Sequence, residues 1–207
     1  MSRIIDQIIE RKSPLILNCI NSRLGYVEKA LLGMLNETFG DEWEKSSYKL
    51  SRLEQVEEIM SEPDSQSMSF LMWEPQLEIK KCTVFVNNFK DGWITLMNKF
   101  STDYGKEIAT GAFSNDKDDF PFFKFGYRKK LIVRDVHVLR DNEEWLFYSK
   151  GMPLEFEEIA NYQEKQISKR LNNSIVENYM KALGFDCTKE QFWKSDTDAV
   201  EYKFTLQ

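Results

Sequence analysis

The chain contains one histidine, His137, which follows Asp135 by two residues in a segment that alternates like a β-strand. Residues i and i+2 of a strand point to the same face, so the aspartate could orient the imidazole as a general base. The alternative is a strand residue satisfied by its neighbours, and we favour it because valines flank the histidine. A single histidine also excludes multi-histidine zinc sites and two-histidine iron sites.

An acidic run over 115–119 contains the second group of chemically capable side chains, Asp116, Asp118 and Asp119. A calcium-binding EF-hand loop needs Gly at its sixth position. Counted from Asp116, that position holds Pro121, so the motif fails. Two interpretations stay open for the run: a solvated turn between two strands, or part of an acidic binding face.

Trp73 is one of five tryptophans and precedes Glu74-Pro75 near a predicted loop. Tryptophan is enriched among the residues that dominate binding energy, so we predict Trp73 as a surface anchor. The alternative is a tryptophan of the core. Together with Asp116, Asp118 and Asp119, it forms the candidate binding set.

Motifs for cofactors and nucleotides are absent from the sequence. The nine glycines form neither G-x-G-x-x-G nor a Walker sequence, and the three cysteines show no C-x-x-C spacing. We therefore expect no catalytic residue, metal or cofactor. A basic stretch over 127–130 could bind single-stranded nucleic acid, but charges on an exposed strand edge explain it equally well, so nucleic acid is disfavoured as a partner.

Composition and charge restrict the class of protein. Hydrophobic residues make up 42% and aromatic residues 14% of 207 residues, which is enough for a sizeable core without a disulfide or metal. The net charge of −6 would steer a basic protein toward the surface. The N-terminus lacks the uninterrupted apolar stretch of a signal peptide, and no apolar run could span a bilayer. We therefore expect a cytoplasmic protein.

Hydrophobic periodicity predicts the elements that would position these residues. Helices are predicted over 3–11 and around 27–35, with a buried strand over 15–20 between them. A capping box formed by Ser51 and Glu54 predicts a helix over 52–61, followed by a polar loop over 62–69.

The rest of the chain is predicted to be rich in strands. A helix follows Asp91-Gly92, and two C-terminal helices are predicted over 155–170 and 174–183. The first of these is indicated by acidic residues at its start and basic residues at its end, an order that complements the helix dipole. The predicted strands cover 69–74, 82–87, 106–113, 121–128, 131–140, 145–148 and 199–206.

The sequence therefore predicts an α+β fold with a mostly antiparallel sheet, helices packed on one face, a helical N-terminal region and a C-terminal helix pair. We expect a single domain over 1–207, with possible substructure at 1–62 and 69–207. The functional hypothesis is a non-enzymatic protein-binding module with an acidic surface, such as a bacterial immunity or antitoxin-type inhibitor of a toxin. The alternatives are a carboxylate-based, metal-dependent enzyme and a subunit of a larger assembly.

Overall fold

The computed structural model describes residues 4–51, 54–60, 67–77, 81–89 and 91–205. The two positions between the capping-box residues, 52 and 53, lie outside these ranges, and so does most of the predicted loop over 62–69. Within the described part, the backbone N–H of Ser51 donates to the side chain of Gln55, so Gln55 and not Glu54 reaches back to the cap.

A single antiparallel sheet of nine strands spans the described part of the chain. Its spatial order is β2-β9-β3-β4-β1-β5-β6-β7-β8, so β2 and β8 are the edges. The strands are β1 Leu15–Ile20, β2 Glu44–Tyr48, β3 Ser67–Trp73, β4 Thr83–Asn87, β5 Ile108–Phe113, β6 Phe122–Lys129, β7 Ile132–Asp141, β8 Glu144–Lys150 and β9 Ala199–Thr205.

Five α-helices accompany the sheet among the described residues: α1 Ile4–Ile9, α2 Leu24–Phe39, α3 Glu54–Ile59, α4 Ile94–Tyr104 and α5 Asn173–Ala182. Apolar residues recur at helical spacing along α2 and are buried, and Gly40 ends this helix with a φ of 88°. Asn172 caps α5 by accepting a hydrogen bond from the backbone N–H of Ile175. In the described ranges, no helix combines the length and the apolarity that crossing a bilayer requires.

The helices cover both faces of the sheet and create two hydrophobic cores. The first core lies between one face and helices α1, α3 and α5, and the second lies between the opposite face and helices α2 and α4. Strand β1 shows why both cores form: Leu17 and Cys19 enter the first core, whereas Ile20 enters the second. Successive side chains of a strand point to opposite faces, so a strand that is buried along its whole length, as β1 is, needs cover on both sides.

The α+β class and the mostly antiparallel sheet are confirmed, with two differences in how the helices are arranged. Helices pack on both faces, not on one. The helix predicted over 155–170 is instead two short 3₁₀ helices, Ile159–Gln163 and Ile167–Lys169, so α5 alone remains of the predicted pair. Glu157 turns inward to pair with the fully buried Arg134, and this tertiary contact overrides the helical charge pattern.

Candidate functional site

A groove of about 600 Å³ lies where the loop joining β5 to β6 meets the turn joining β7 to β8. We call it the acidic groove. Its walls carry two aromatic rings, two carboxylates, an amide and a guanidinium, from Asp119, Phe120, Arg140, Asn142, Glu143 and Trp145.

The turn between β7 and β8 places one wall of the groove. It consists of Asn142 and Glu143, both in the left-handed region with φ of 46° and 69°, between the paired residues Asp141 and Glu144. A two-residue turn with two positive φ values matches the twist of antiparallel strands. Asn tolerates this backbone conformation, but Glu adopts it rarely, so the ladder holds Glu143 at the groove against its local preference.

Arg140 joins the two loops that form the groove. Its guanidinium donates to the backbone carbonyls of Asp118 and Asp119, at 2.5 and 3.3 Å, and its backbone N–H donates to the carbonyl of Pro121 at 3.1 Å. The same guanidinium lies 5.8 Å from the centre of the Trp145 ring. These hydrogen bonds therefore hold the acidic loop against β7.

Negative charge accumulates at this end of the sheet. The ranges 115–121 and 140–145 together contain six carboxylates but only two cations, Lys117 and Arg140. Five of these six acidic residues are exposed and Asp118 is half-buried, and the ring of Phe120, next to Asp119, is 68% exposed. The carboxylates are those of Asp116, Asp118, Asp119, Asp141, Glu143 and Glu144.

Of the three predicted aspartates, the structure places one in the wall of the acidic groove and a second beside it. Asp119 lines it, and Asp118 supplies a carbonyl to Arg140. Asp116 instead lines a separate depression of about 290 Å³, together with Asp6 and Glu10 of the α1 region. The acidic run is thus divided between two depressions, and only its C-terminal half contributes to the groove.

Trp73 is not a surface anchor, which corrects the prediction for this residue. Its side chain is 0% exposed, and its indole N–H donates to the backbone carbonyl of Phe192 at 2.8 Å. The ring packs in the first core against the rings of Phe192 and Trp193, each 6.3 Å away. The polar sequence after Trp73 does not expose it because the 3₁₀ helix Glu190–Trp193 covers this end of β3.

Asp135 and His137 share a face of β7, as the alternation predicts, but the aspartate binds cations. Its carboxylate accepts from Arg128 at 2.5 Å and lies 3.3 Å from the ammonium of Lys124. The imidazole stacks on Tyr148 with ring centres 4.7 Å apart, and its buried Nδ1 has no partner among the described residues. This arrangement favours the structural interpretation of His137 over a catalytic pair.

Sequence reasoning missed the residues that complete the groove. Asp141-Asn142-Glu143 is recognisable as a polar turn, but nothing in it shows that it meets the loop before β6 across two strands. Phe120 and Trp145 appear as ordinary aromatic residues of a strand-rich segment. Only the register of β6, β7 and β8 brings these parts together.

A buried charge cluster in the first core was also missed, and its role is structural. Arg134 is fully buried and binds Glu157 through Nε and a terminal nitrogen, at 2.9 and 2.7 Å. The hydroxyl of Tyr162 donates to the same carboxylate at 2.6 Å, and burial together with this bond raises the Tyr162 pKa. Each charge has a partner, so the cluster fixes the segment after β8 against the sheet.

Neither metal-binding groups nor similar proteins indicate a function for this site. In the ranges that the structure describes, no three His, Cys, Asp or Glu side chains lie close enough to hold a metal ion. No protein-family model, curated protein or solved structure matches the chain.

Proposed function

We propose that this chain is a non-enzymatic protein-binding module that receives a basic segment of its partner in the acidic groove. An immunity or antitoxin-type inhibitor of a basic toxin is the concrete form of this proposal. The observation that carries it is the placement of an exposed aromatic ring, Phe120, between carboxylates on a loop that Arg140 holds in place.

The groove offers two kinds of contact that suit a Lys or Arg side chain. An aromatic face attracts a cation by about 0.5–1 kcal/mol at an exposed site, and Phe120 and Trp145 both line the groove. The carboxylates of Asp119 and Glu143 can accept charge-assisted hydrogen bonds from the same cation. Arg140 already lies 5.8 Å from the centre of the Trp145 ring, but its hydrogen bonds within the described chain go to the backbone carbonyls of Asp118 and Asp119 and not to the two carboxylates.

The charge balance of the whole chain supports the same partner class. A net charge of −6 attracts a basic protein before contact and raises its association rate. We also place the protein in the cytoplasm, because its three cysteines are buried thiols in no disulfide, as a reducing compartment favours.

A carboxylate-based, metal-dependent enzyme is the alternative function. It requires at least three acidic side chains that converge in one pocket. The described residues contain no such group, and the carboxylates of the acidic groove share it with a guanidinium. The groove therefore favours binding over chemistry.

The decisive experiment is titration with a synthetic peptide of alternating Lys and Gly, compared with the equivalent Glu peptide. Asp119→Asn combined with Glu143→Gln removes both carboxylates of the groove, and we expect it to weaken binding of the basic peptide about tenfold at low salt. The matched control is Glu155→Gln with Glu164→Gln, which removes two exposed charges elsewhere. Isothermal titration calorimetry measures all three proteins.

The same variants test recognition of a natural partner. Proteins of the source cell captured by the wild-type chain and by the control, but not by the groove variant, would support the proposal. Equal loss in both double variants would show only a general charge effect. A captured partner that is retained by the groove variant, or whose binding is insensitive to salt, contradicts the proposal.

A further inference from the structure

Strand β8 forms one edge of the sheet and leaves half of its backbone groups directed away from β7. Because Asp141 and Glu144 close a two-residue turn, they form a hydrogen-bonded pair, and every second residue of β8 repeats this orientation. The backbone groups of Trp145, Phe147 and Ser149 therefore point outward along the edge. Such an edge is a template for another strand.

The elements that follow β8 do not cover this edge. The 3₁₀ helix Ile167–Lys169 contacts both β7 and β8, so it lies over the face of the first core and not beyond the last strand. On the opposite face, Leu146 and Tyr148 are 47% and 45% exposed. An edge that carries exposed apolar side chains without a bulge or a proline lacks the usual protection against pairing.

The sequence of β8 is complementary to itself when two copies run antiparallel. Pairing centred on Phe147 places Glu144 of each copy opposite Lys150 of the other, and Leu146 opposite Tyr148. In this register Phe147 pairs with itself and Trp145 with Ser149, which are the residues whose backbone groups are available. Glu144 and Lys150 have no ion-pair partner among the described residues of their own chain.

We propose that two copies of this chain associate through antiparallel β8–β8 pairing and form one continuous sheet across a twofold axis. The two Glu144–Lys150 contacts fall on non-hydrogen-bonded pairs, where side chains approach most closely. An isologous contact of this kind closes on itself and stops at the dimer. The proposal goes beyond the partner-binding function and does not depend on it.

The other edge of the sheet, β2, does not offer the same complementarity. It has five residues, and self-pairing centred on Ser46 would place Glu44 opposite Tyr48. Its Lys45 is already paired with Glu28 at 2.6 Å. A short edge strand whose lysine is already in an ion pair resists pairing with another strand, so β8 is the edge that dimerises.

Sedimentation equilibrium on the full chain tests this proposal. We expect the wild type to dimerise and Glu144→Lys to raise the dimer dissociation constant about tenfold or more, because it turns two attractions into two repulsions. Combining Glu144→Lys with Lys150→Glu exchanges the two charges and should restore the wild-type constant. Glu44→Lys is the matched reversal on the other edge strand and should leave it unchanged.

Circular dichroism and thermal unfolding show whether each variant is folded. Glu144→Lys is the primary variant, because Lys150 lies opposite Asp135 within the chain and its reversal alone adds a pair of like charges. A monomeric wild type at roughly millimolar concentration overturns the proposal. A dimer that Glu144→Lys does not weaken, or that the charge exchange does not restore, also overturns it.

Discussion

His137 illustrates how a single side chain can be set by the sheet around it. The imidazole is stacked on Tyr148, and the ring of Phe122 lies 6.0 Å away. Burial lowers the pKa of His137, and the nearby ammonium of Lys124 lowers it further against the opposing effect of Asp135. The folded chain therefore favours the neutral imidazole.

The stability of the fold should consequently decrease as the pH falls below the ordinary histidine pKa of about 6.5. The unfolded chain binds a proton there more readily than the folded chain, so the contribution is complete above that pH and is lost below it. We expect His137→Gln to lose less unfolding free energy than the wild type between about pH 7 and pH 5. Urea unfolding at both pH values measures the difference.

Nuclear magnetic resonance gives a direct check, because the chain has one histidine and thus one imidazole titration. The imidazole resonance should titrate below pH 6.5. A midpoint at or above that value would show that Asp135 interacts with the imidazole in spite of its two cationic partners.

At this scale, the sequence identifies candidate residues but not their environment. The spacing of Asp135 and His137 correctly places both on one face of a strand. It does not show that Arg128 and Lys124 pair with the Asp135 carboxylate, since these two residues belong to the neighbouring strand. Trp73 and Arg134 demonstrate the same limit. Trp73 is buried by a segment more than a hundred residues away along the chain, and Arg134 pairs with a glutamate 23 residues away.

At the scale of elements, the residue that follows β8 must be a glycine because of its backbone conformation. Gly151 has a φ of 83°, and an added Cβ would collide with the carbonyl oxygen of Val133. Gly33 differs in both respects, because it lies in the interior of α2 with open space around it.

Alanine at these two positions should therefore change the stability in opposite directions. Gly151→Ala forces a left-handed conformation and a backbone collision, so we expect a loss of about 2 kcal/mol or more. Gly33→Ala relieves the entropic cost of glycine within a helix, so we expect a gain of about 0.5–1 kcal/mol. Chemical denaturation measures both, and equal effects would contradict the assigned geometry.

Local patterns predict most elements of this fold, and tertiary contacts explain the exceptions. The alternation of Phe123, Phe125 and Tyr127 predicts a half-buried strand; the strand is present, but its other face is buried too, because α4 packs over Lys124 and Gly126. Over 155–170 the charge order predicts a helix, but Glu157 makes its strongest contact with Arg134 of β7. The pattern of charges along a segment cannot show that a distant strand competes for one of them.

At the scale of the whole molecule, the strand order joins the two ends of the chain. The C-terminal strand β9 lies between β2 and β3, which belong to the first half of the sequence. Sequence periodicity does not reveal this order, because strand pairing depends on contacts between distant segments. Its consequence is that strands of the regions 1–62 and 69–207 share one sheet, while the single domain stays a prediction.

A single domain requires that the two cores unfold together, although they lie on opposite faces of the sheet. Leu71 in the first core and Leu31 in the second are both 0% exposed, so Leu→Ala at each creates a matched cavity. We expect either variant to lose about 2–5 kcal/mol and to shift one cooperative urea transition as a whole. Tryptophan fluorescence and far-ultraviolet circular dichroism should give coincident curves, whereas two phases of which only one moves would divide the chain into two domains.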